Sequence, residues 1–515
     1  MSQGEQKKLA ACVMVVGTTS GAGKSWLCTA LCRYYARKGL RVAPFKAQNM
    51  SNNARVVAIN AGISDIDDTM HRTGDGSEEG GEIGSAQYFQ ALAAGVEPDV
   101  RMNPLLLKPE CDTHSQVVLL GHVHREFTAM PWRGRSAHVW PHLRAALDDL
   151  RKNFDVVVIE GAGSPAELNL QSSDIVNMRV AKHAEAKCLL VTDIDRGGAF
   201  AHLYGTWALL PWAEKALIKG FVLNKFRGDP SLLAPAPEML FELTHVPTVA
   251  TLPMWWQHGL PEEDGVFNDR RISRGAVTLR VAVIVYPRIS NLDEFAPLQN
   301  IPGVCLMWVR SPAELAELSM RDWVILPGSK HTSSDLRWLK EQGLAQTITE
   351  HAQRGGVVLG ICGGLQMLGV SLVDPHGVDG EGEGLGLLNV HTTFAAQKVV
   401  ARVKAQFRDD LKGKWAPLAG TFVHGYEIHN GLTLAGDGGD SVRPVLGENL
   451  GWCNPGGNVL GIYVHGLFED ATALTALFAA RLNGPVPTLD TVFDQLADFI
   501  DKHFEPGVLD ALISS

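Results

Sequence analysis

The most chemically pointed feature of this chain is a cysteine set among glycines where an apolar run stops, in GGVVLGICGGLQMLG, with a helical pattern starting just after Cys362. Glycines there let the chain turn sharply and expose the thiol, and a helix N-terminus favours the thiolate, which is the nucleophilic form. A thiol nucleophile needs a base. His465, in GIYVHGLFED, ends another apolar run and is expected to take the thiol proton and return it to the leaving group. LPGSKHT adds a Gly-containing turn after a third run. Backbone amides near Gly328 and Ser329, with that of Gly363, are therefore expected to stabilise the oxyanion of a thioester-forming step. A further cluster, FVHGYEIHNG, carries His424, Glu427 and His429, which either line the same cleft or satisfy local hydrogen bonds.

The first half of the chain offers different chemistry. VMVVGTTSGAGKSWLCTALCRYYARKG reads as strand, Gly-rich loop and helix, the context that a phosphate-cradling loop requires. Thr18, Gly21 and Gly23 lie where backbone amides can approach phosphate oxygens, and Lys24 adds charge. The Ser25 hydroxyl, at the helix N-terminus, is expected to ligate Mg2+ beside ATP. Counted from Gly17, the loop is one residue longer than GxxxxGKS, a variant that resembles the loop of dethiobiotin synthetase and its relatives. Glu160, ending the apolar run of FDVVVIEGAG, is expected as a second contact for the metal, because open α/β sheets bind ligands at such strand ends. Asp193 and Asp195, in VTDIDRGGAF, repeat that placement and are expected at the substrate. Asn224, in FVLNKFRGD, has an amide that can read the edge of adenine.

These residues need sheets to hold them. The runs CVMVV, RVAPF, FDVVVIE, AKCLLVTD and IKGFVLN alternate with helical patterns, which predicts a parallel α/β sheet. LRVAVIVYP, VCLMWV, DWVILPG, GGVVLGICGG and NVLGIYVHG predict a second one. Between them the irregular, Pro- and Gly-rich residues 253–276 read as a linker, giving an ATP-dependent domain over 1–252 and a second domain over 277–515. The apolar run after Lys7 and Lys8 is read as the first strand rather than a signal peptide, because it leads directly into the phosphate loop. An acidic, Gly-rich insertion at about 58–79 is expected to be either a lid or a tolerated surface loop.

Composition agrees with two soluble domains: 515 residues, 45% of them hydrophobic and 20% charged. A net charge of -10 supplies no basic stripe for a nucleic acid, and no apolar run is long enough to span a membrane. The eight cysteines show no CxxC pair or zinc spacing, as expected of reduced thiols in the cytoplasm.

With both sites in hand, nearly the whole chain resembles the cobyric acid synthases. The ordered set GTTSGAGKS, APFKAQNMSNNA, GGEIGSAQ, MNPLLLKPE, IEGAGSPAELNL, DIDRGGAF, NKFRGD, LPGSKHT, GICGGLQMLG, HGYEIH and YVHGLF is similar to the motifs of that family, in its order. The resemblance implies an α/β protein with a P-loop synthetase domain followed by a class I glutamine amidotransferase domain. It implies ATP, Mg2+, glutamine and a corrinoid as cofactor and substrates, with amidation of four peripheral carboxylates, b, d, e and g, on adenosylcobyrinic acid a,c-diamide through an acyl phosphate. Cys362 and His465 are then the nucleophile and its partner. Lys46, Gln48, Asn49, Lys108, Ser115 and Gln116 become candidate substrate contacts. The related a,c-diamide synthases are expected to carry a PxYxD-like stretch where this chain has PFKAQNMSNNA, and a partitioning-type ATPase would need neither Cys362 nor His465. Many glutamine amidotransferases have Glu two residues after the histidine, where this chain has Leu467. That leaves the third member open between Glu469 and a Cys/His dyad. Oligomeric state is not legible.

Overall fold

The computed structural model describes residues 9–59, 78–111, 114–261, 272–436 and 442–514. Nearly all of the acidic insertion, and with it the choice between lid and loop, lies outside them. The chain divides into two compact units, one containing Gly81–His258 and Asp490–Ser515, the other Gly259–Leu489.

In the first unit β1 (Ala11–Gly17) leads through the phosphate loop into α1 (Lys24–Arg37) and then β2 (Val42–Phe45). Helix α2 (Ser85–Ala94), β3 (Val156–Glu160), β4 (Lys187–Asp193), β5 (Ile218–Phe226) and β6 (Thr248–Pro253) follow. The six strands form one sheet in the order β6-β5-β4-β1-β3-β2, with every pairing parallel. β1 and β3 are buried almost throughout, which is why they read as unbroken apolar runs rather than alternating ones. All five predicted runs are strands of this sheet, and the run after Lys8 is its β1. A smaller sheet of Gln48–Met50, Leu105–Cys111, His114–Leu119 and His122–Val123 lies in the same unit.

Two boundaries differ from the expected ones. The 253–276 linker begins inside a strand, since Pro253 pairs with Phe226, and Ile272–Ser273 pairs with Leu306 and Cys305 as an edge strand of the second sheet. The C-terminal segment, expected in the second domain, belongs to the first unit. Its helix Leu489–His503 lies along α1, with Arg33 Nε donating to Asp494 at 2.8 Å and Trp26 packed edge-on to Phe499 at 5.6 Å. The buried Tyr35 hydroxyl donates to the Leu509 carbonyl at 2.8 Å. Phe493, 1% exposed, anchors that helix. Phe493→Ala is expected to destabilise the protein by about 3 kcal/mol, through lost transfer energy plus a cavity, readable by urea unfolding.

The second unit contains β7 (Leu279–Ile284), β8 (Val304–Val309), β9 (Trp323–Leu326), β10 (Val357–Ile361), α3 (Gly363–Leu368), β11 (Val390–Gln406), β12 (Phe422–Ala435) and β13 (Val459–Ile462). Its main sheet runs β8-β7-β9-β10-β13 in parallel, with Ile272–Ser273 on one edge and Gly451–Cys453 and Arg443–Leu446 on the other, all three antiparallel. β11 and β12 form a long antiparallel pair broken by an irregularity between Phe394 and Val399. No helix among the described residues is long and apolar enough to cross a membrane.

Candidate active site

Cys362 stands between β10 and α3 with φ 52° and ψ -107°, a left-handed conformation that costs a non-glycine residue on the order of 1–3 kcal/mol. The turn holds because its neighbours leave no room for a gentler one. A Cβ on Gly364 would lie 1.8 Å from the Leu326 carbonyl oxygen, so only glycine lets α3 start against the end of β9. The helix has six residues, so the charge facing the thiol comes from a side chain more than from a helix dipole.

That side chain is His465, just past β13 and 1% exposed. Its Nδ1 lies 3.1 Å from Oε1 and 3.3 Å from Oε2 of Glu294, itself fully buried. Glu294 Oε2 also accepts the Gly466 amide at 3.1 Å, and the Asn291 amide approaches Nδ1 at 3.4 Å. Nδ1 therefore donates to Glu294, which leaves Nε2 to face the Cys362 sulfur. Burial alone would lower the imidazole, but the charges of Glu294 and Cys362 raise it to about 10. The ring is thus an imidazolium at neutral pH, held between the Glu294 carboxylate and the Cys362 sulfur. Tyr426 stacks on it at 5.2 Å.

Glu294 is the carboxylate that sequence reasoning missed. It sits on a 3-10 segment, Leu292–Asn300, far upstream of His465 in the chain, so no local spacing links the two. The available signal was an acidic pair within the apolar stretch after β7, in ISNLDEFAPL. Leu467, at the position where a glutamate was expected, is fully buried and packs in the hydrophobic core with Phe295, Leu298 and Phe468. A carboxylate there would be desolvated in an apolar core.

The expected oxyanion amides come together. A Cβ on Gly363 would lie 2.9 Å from the Ser329 nitrogen, and one on Gly328 would lie 2.9 Å from His465 Cε1, so the LPGSKHT turn, the elbow and the histidine share one wall. The Ser329 hydroxyl donates to Asp335 at 2.6 Å, which fixes the turn.

In the first unit the phosphate loop is preformed. Gly21 and Gly23 have φ of 72° and 100°, and a Cβ on Gly23 would strike Asn224 Nδ2 at 2.1 Å. Asn224 braces the loop: its amide donates to the Ala22 carbonyl at 2.8 Å and accepts from the Lys225 amide at 2.9 Å. The group expected to read adenine is thus engaged at both ends, by the loop carbonyl of Ala22 and by the backbone amide of Lys225. Thr18 donates to the Thr192 hydroxyl at 3.0 Å, and Lys24 Nζ reaches the carbonyls of Thr19 at 3.0 Å and Gly163 at 3.2 Å. Asp193 and Asp195, expected at the substrate, hold cations of their own. Asp193 pairs with Lys225 at 3.0 Å, which also donates to the Gly21 carbonyl at 2.8 Å, while Asp195 pairs with Arg227.

Glu160 is 1% exposed and richly bonded. Its Oε1 accepts from Ser25 Oγ at 2.8 Å and Lys46 Nζ at 2.9 Å; its Oε2 accepts from Gln90 at 2.6 Å and Gln87 at 3.3 Å. Asn49 in turn donates to Gln87 at 3.2 Å. Burial would raise the carboxyl, but the Lys46 ammonium and the bonds from Lys46, Ser25 and Gln90 hold it below the usual range. An ionised carboxylate touching a hydroxyl at the foot of a phosphate loop is a hard-oxygen set that fits Mg2+, with most remaining ligands coming from phosphate and water. Lys46 is the cation sharing that oxygen.

The remaining candidates converge on the small sheet, where Gln48 pairs with Leu105, Asn49 with Leu106, Lys108 with Gln116, and Pro109 with Ser115. Lys108 is bonded to the buried Glu82. Gln48 also lines a cavity of about 320 Å³ with Gly163, Ser164, Gln171 and Asn177, and Gly163 is the residue whose carbonyl binds Lys24.

Comparison with known proteins agrees with both units. Residues 13–257 match the family described as the CobQ/CobB/MinD/ParA nucleotide binding domain, and residues 280–473 match the CobB/CobQ-like glutamine amidotransferase domain. Cobyric acid synthase of Albidiferax ferrireducens is 68% identical, with 98% of this chain and 100% of that protein covered. Those of Polaromonas naphthalenivorans and Variovorax paradoxus are 66% and 65% identical, each with 98% of this chain and 99% of the relative covered. On identity of that order along both units, the chain belongs to the cobyric acid synthase family.

Proposed function

We propose that Cys362, His465 and Glu294 release ammonia from glutamine, and that the loop 17–25 with Glu160 uses ATP to activate the corrinoid carboxylate that receives it. As a member of its family, the chain is a glutamine-hydrolysing ligase that amidates adenosylcobyrinic acid a,c-diamide to adenosylcobyric acid. The observation that carries the residue assignment is the imidazolium of His465, held between buried Glu294 and the strained elbow thiol.

In the first half-reaction the Cys362 thiolate attacks the glutamine carboxamide carbon, and the amides of Gly363 and Ser329 take up the charge on oxygen. The His465 imidazolium gives its proton to the departing ammonia. Now neutral, it removes a proton from water, whose attack on the thioester releases glutamate and restores the thiolate–imidazolium pair. Glu294 keeps the ring oriented and its charge balanced in both protonation states.

In the second, ATP phosphorylates the corrinoid carboxylate, and ammonia displaces phosphate from the acyl phosphate to form the amide. Lys24 and the loop amides stabilise charge on the transferring phosphoryl group. Mg2+ bound there would be held by Ser25 and Glu160 and would withdraw charge from phosphate oxygens. Lys46, Gln48, Asn49, Lys108, Ser115 and Gln116 are assigned to the corrinoid side of the site. The proposed location is the cytoplasm.

Glu294→Gln tests the triad. Without the carboxylate, burial dominates and the imidazole falls, so the alkaline limb of glutamine-driven kcat/KM moves to lower pH. The rate itself is expected to drop about 10²- to 10⁴-fold. Ammonium-driven turnover is the control and keeps its profile. Because the folded value for His465 lies above the unfolded one, the pair stabilises the protein in full below about pH 6.5 and loses that contribution as pH rises through about 10. An unmoved alkaline limb in Glu294→Gln would rule out Glu294 as the orienting group.

A further inference from the structure

β12 crosses the floor on which Cys362 sits. A Cβ on Gly425 would lie 2.1 Å from the His465 carbonyl oxygen, and one on Gly431 would lie 2.3 Å from Gln366 Nε2. Strand alternation puts residues 427 and 429 on that same face, between those two close approaches. Gln366 lies one helical turn after Cys362, its backbone N–H donating to the Cys362 carbonyl at 3.2 Å, so the interval between His465 and Gln366 is the neighbourhood of the thiol. The Cys362 thiol itself lies 3.7 Å from the carbonyl of Ile428, the residue between them.

Glu427 and His429 form a unit. His429 Nε2 lies 2.9 Å from Glu427 Oε2, with the side chains 9% and 11% exposed. The ring stacks on Tyr463 at 3.8 Å, and the Tyr463 hydroxyl is itself fixed by Thr433 at 2.6 Å. A carboxylate only accepts, so in the neutral ring Nε2 carries the hydrogen and Nδ1 is left as an acceptor. Nδ1 is buried with no hydrogen-bond partner among the described residues. A buried acceptor beside a buried carboxylate, near the nucleophile, is a site suited to an N–H donor with positive charge.

We propose that Glu427 and His429 form the subsite for the α-ammonium group of glutamine, and so select an amino acid over other primary amides at Cys362. The assignment rests on the glutaminase reading above. In it, one ammonium N–H donates to Glu427 and another to His429 Nδ1, while Tyr463 keeps the imidazole in place. The chemistry recognised is a cationic ammonium N–H donor, and its other possible source is free ammonium, the product.

The test compares glutamine with glutaramate, which has the same carboxamide and carboxylate but no α-amino group, as substrates for ammonia release by the full-length enzyme. The unaltered protein is expected to prefer glutamine strongly. Glu427→Gln is expected to raise KM for glutamine roughly a hundredfold with little change in kcat, and to leave glutaramate within about twofold, so the preference collapses. His429→Ala is expected to act the same way, and His429→Asn, which can return an acceptor near Nδ1, to recover part of the preference. Equal losses on both substrates, or an intact preference, would overturn the proposal. So would relief of inhibition by added ammonium chloride without loss of preference, which would assign the site to the product. Ammonium-driven amidation reports that each variant is folded. Ammonia release persisting in Cys362→Ala is a separate result, and would contradict the nucleophile rather than the subsite.

Discussion

With Cys362 replaced by Ala, glutamine-driven amidation is expected to fall by roughly 10⁴-fold or more, while ammonium-driven amidation stays within about twofold of the unaltered enzyme. Alanine keeps a Cβ at the same strained elbow and removes one sulfur atom, so the turn against Leu326 and the backbone around it are retained. On the proposed assignment, what is lost is the covalent intermediate, for which no amount of water positioning by His465 compensates. The measurement is corrinoid product per unit time with each nitrogen donor, together with ammonia release from glutamine alone. Loss of both donors in a folded protein would mean that Cys362 serves more than glutamine hydrolysis.

The complementary effect belongs to the phosphate site. Lys24→Gln and Glu160→Gln are each expected to lower amidation by about 10²- to 10³-fold whichever nitrogen donor is used, because in the proposed mechanism both donors meet the same activated carboxylate. Glutamine hydrolysis measured as ammonia release is expected to survive. Glu160→Gln carries a second signature. Its carboxylate is the partner of a Lys46 ammonium that is only 8% exposed, and removing one member of a buried pair costs about 3 kcal/mol or more. Lys24, whose ammonium reaches the carbonyls of Thr19 and Gly163, is expected to show the kinetic loss with a smaller loss of stability. Urea unfolding of the two variants separates these contributions.

The residues at strand ends were the legible part of this chain. Cys362, His465 and the glycines of the phosphate loop each follow a buried parallel strand and Glu160 ends one, and such strands announce themselves as apolar runs that stop abruptly. What was not legible depended on contacts between distant segments. Glu294 meets His465 across a fold that no spacing encodes, and Leu467 stood where a local rule placed the carboxylate. Lys46 gave no sign that its ammonium would share an oxygen of Glu160 with Ser25. The β11–β12 pair was missed for another reason. Much of β11 is exposed, notably over Ala395–Val399, so the strand carries no strong apolar run. The C-terminal helix was assigned to the wrong unit because chain order is the only sequence guide to which core an amphipathic helix covers, and here it returns to α1.

The central claim is that nitrogen passes from the glutamine carboxamide, by way of Cys362, into corrinoid amides made at the phosphate site. Its most direct test is mass spectrometry of the corrinoid formed from the a,c-diamide with ATP, Mg2+ and glutamine labelled with nitrogen-15 at the carboxamide. The expected product carries the label at every amide added by the unaltered enzyme, none in Cys362→Ala, and full label again in Cys362→Ala when labelled ammonium replaces glutamine. Label transferred from glutamine in Cys362→Ala, or no amide formed from ammonium by that folded variant, would contradict the account.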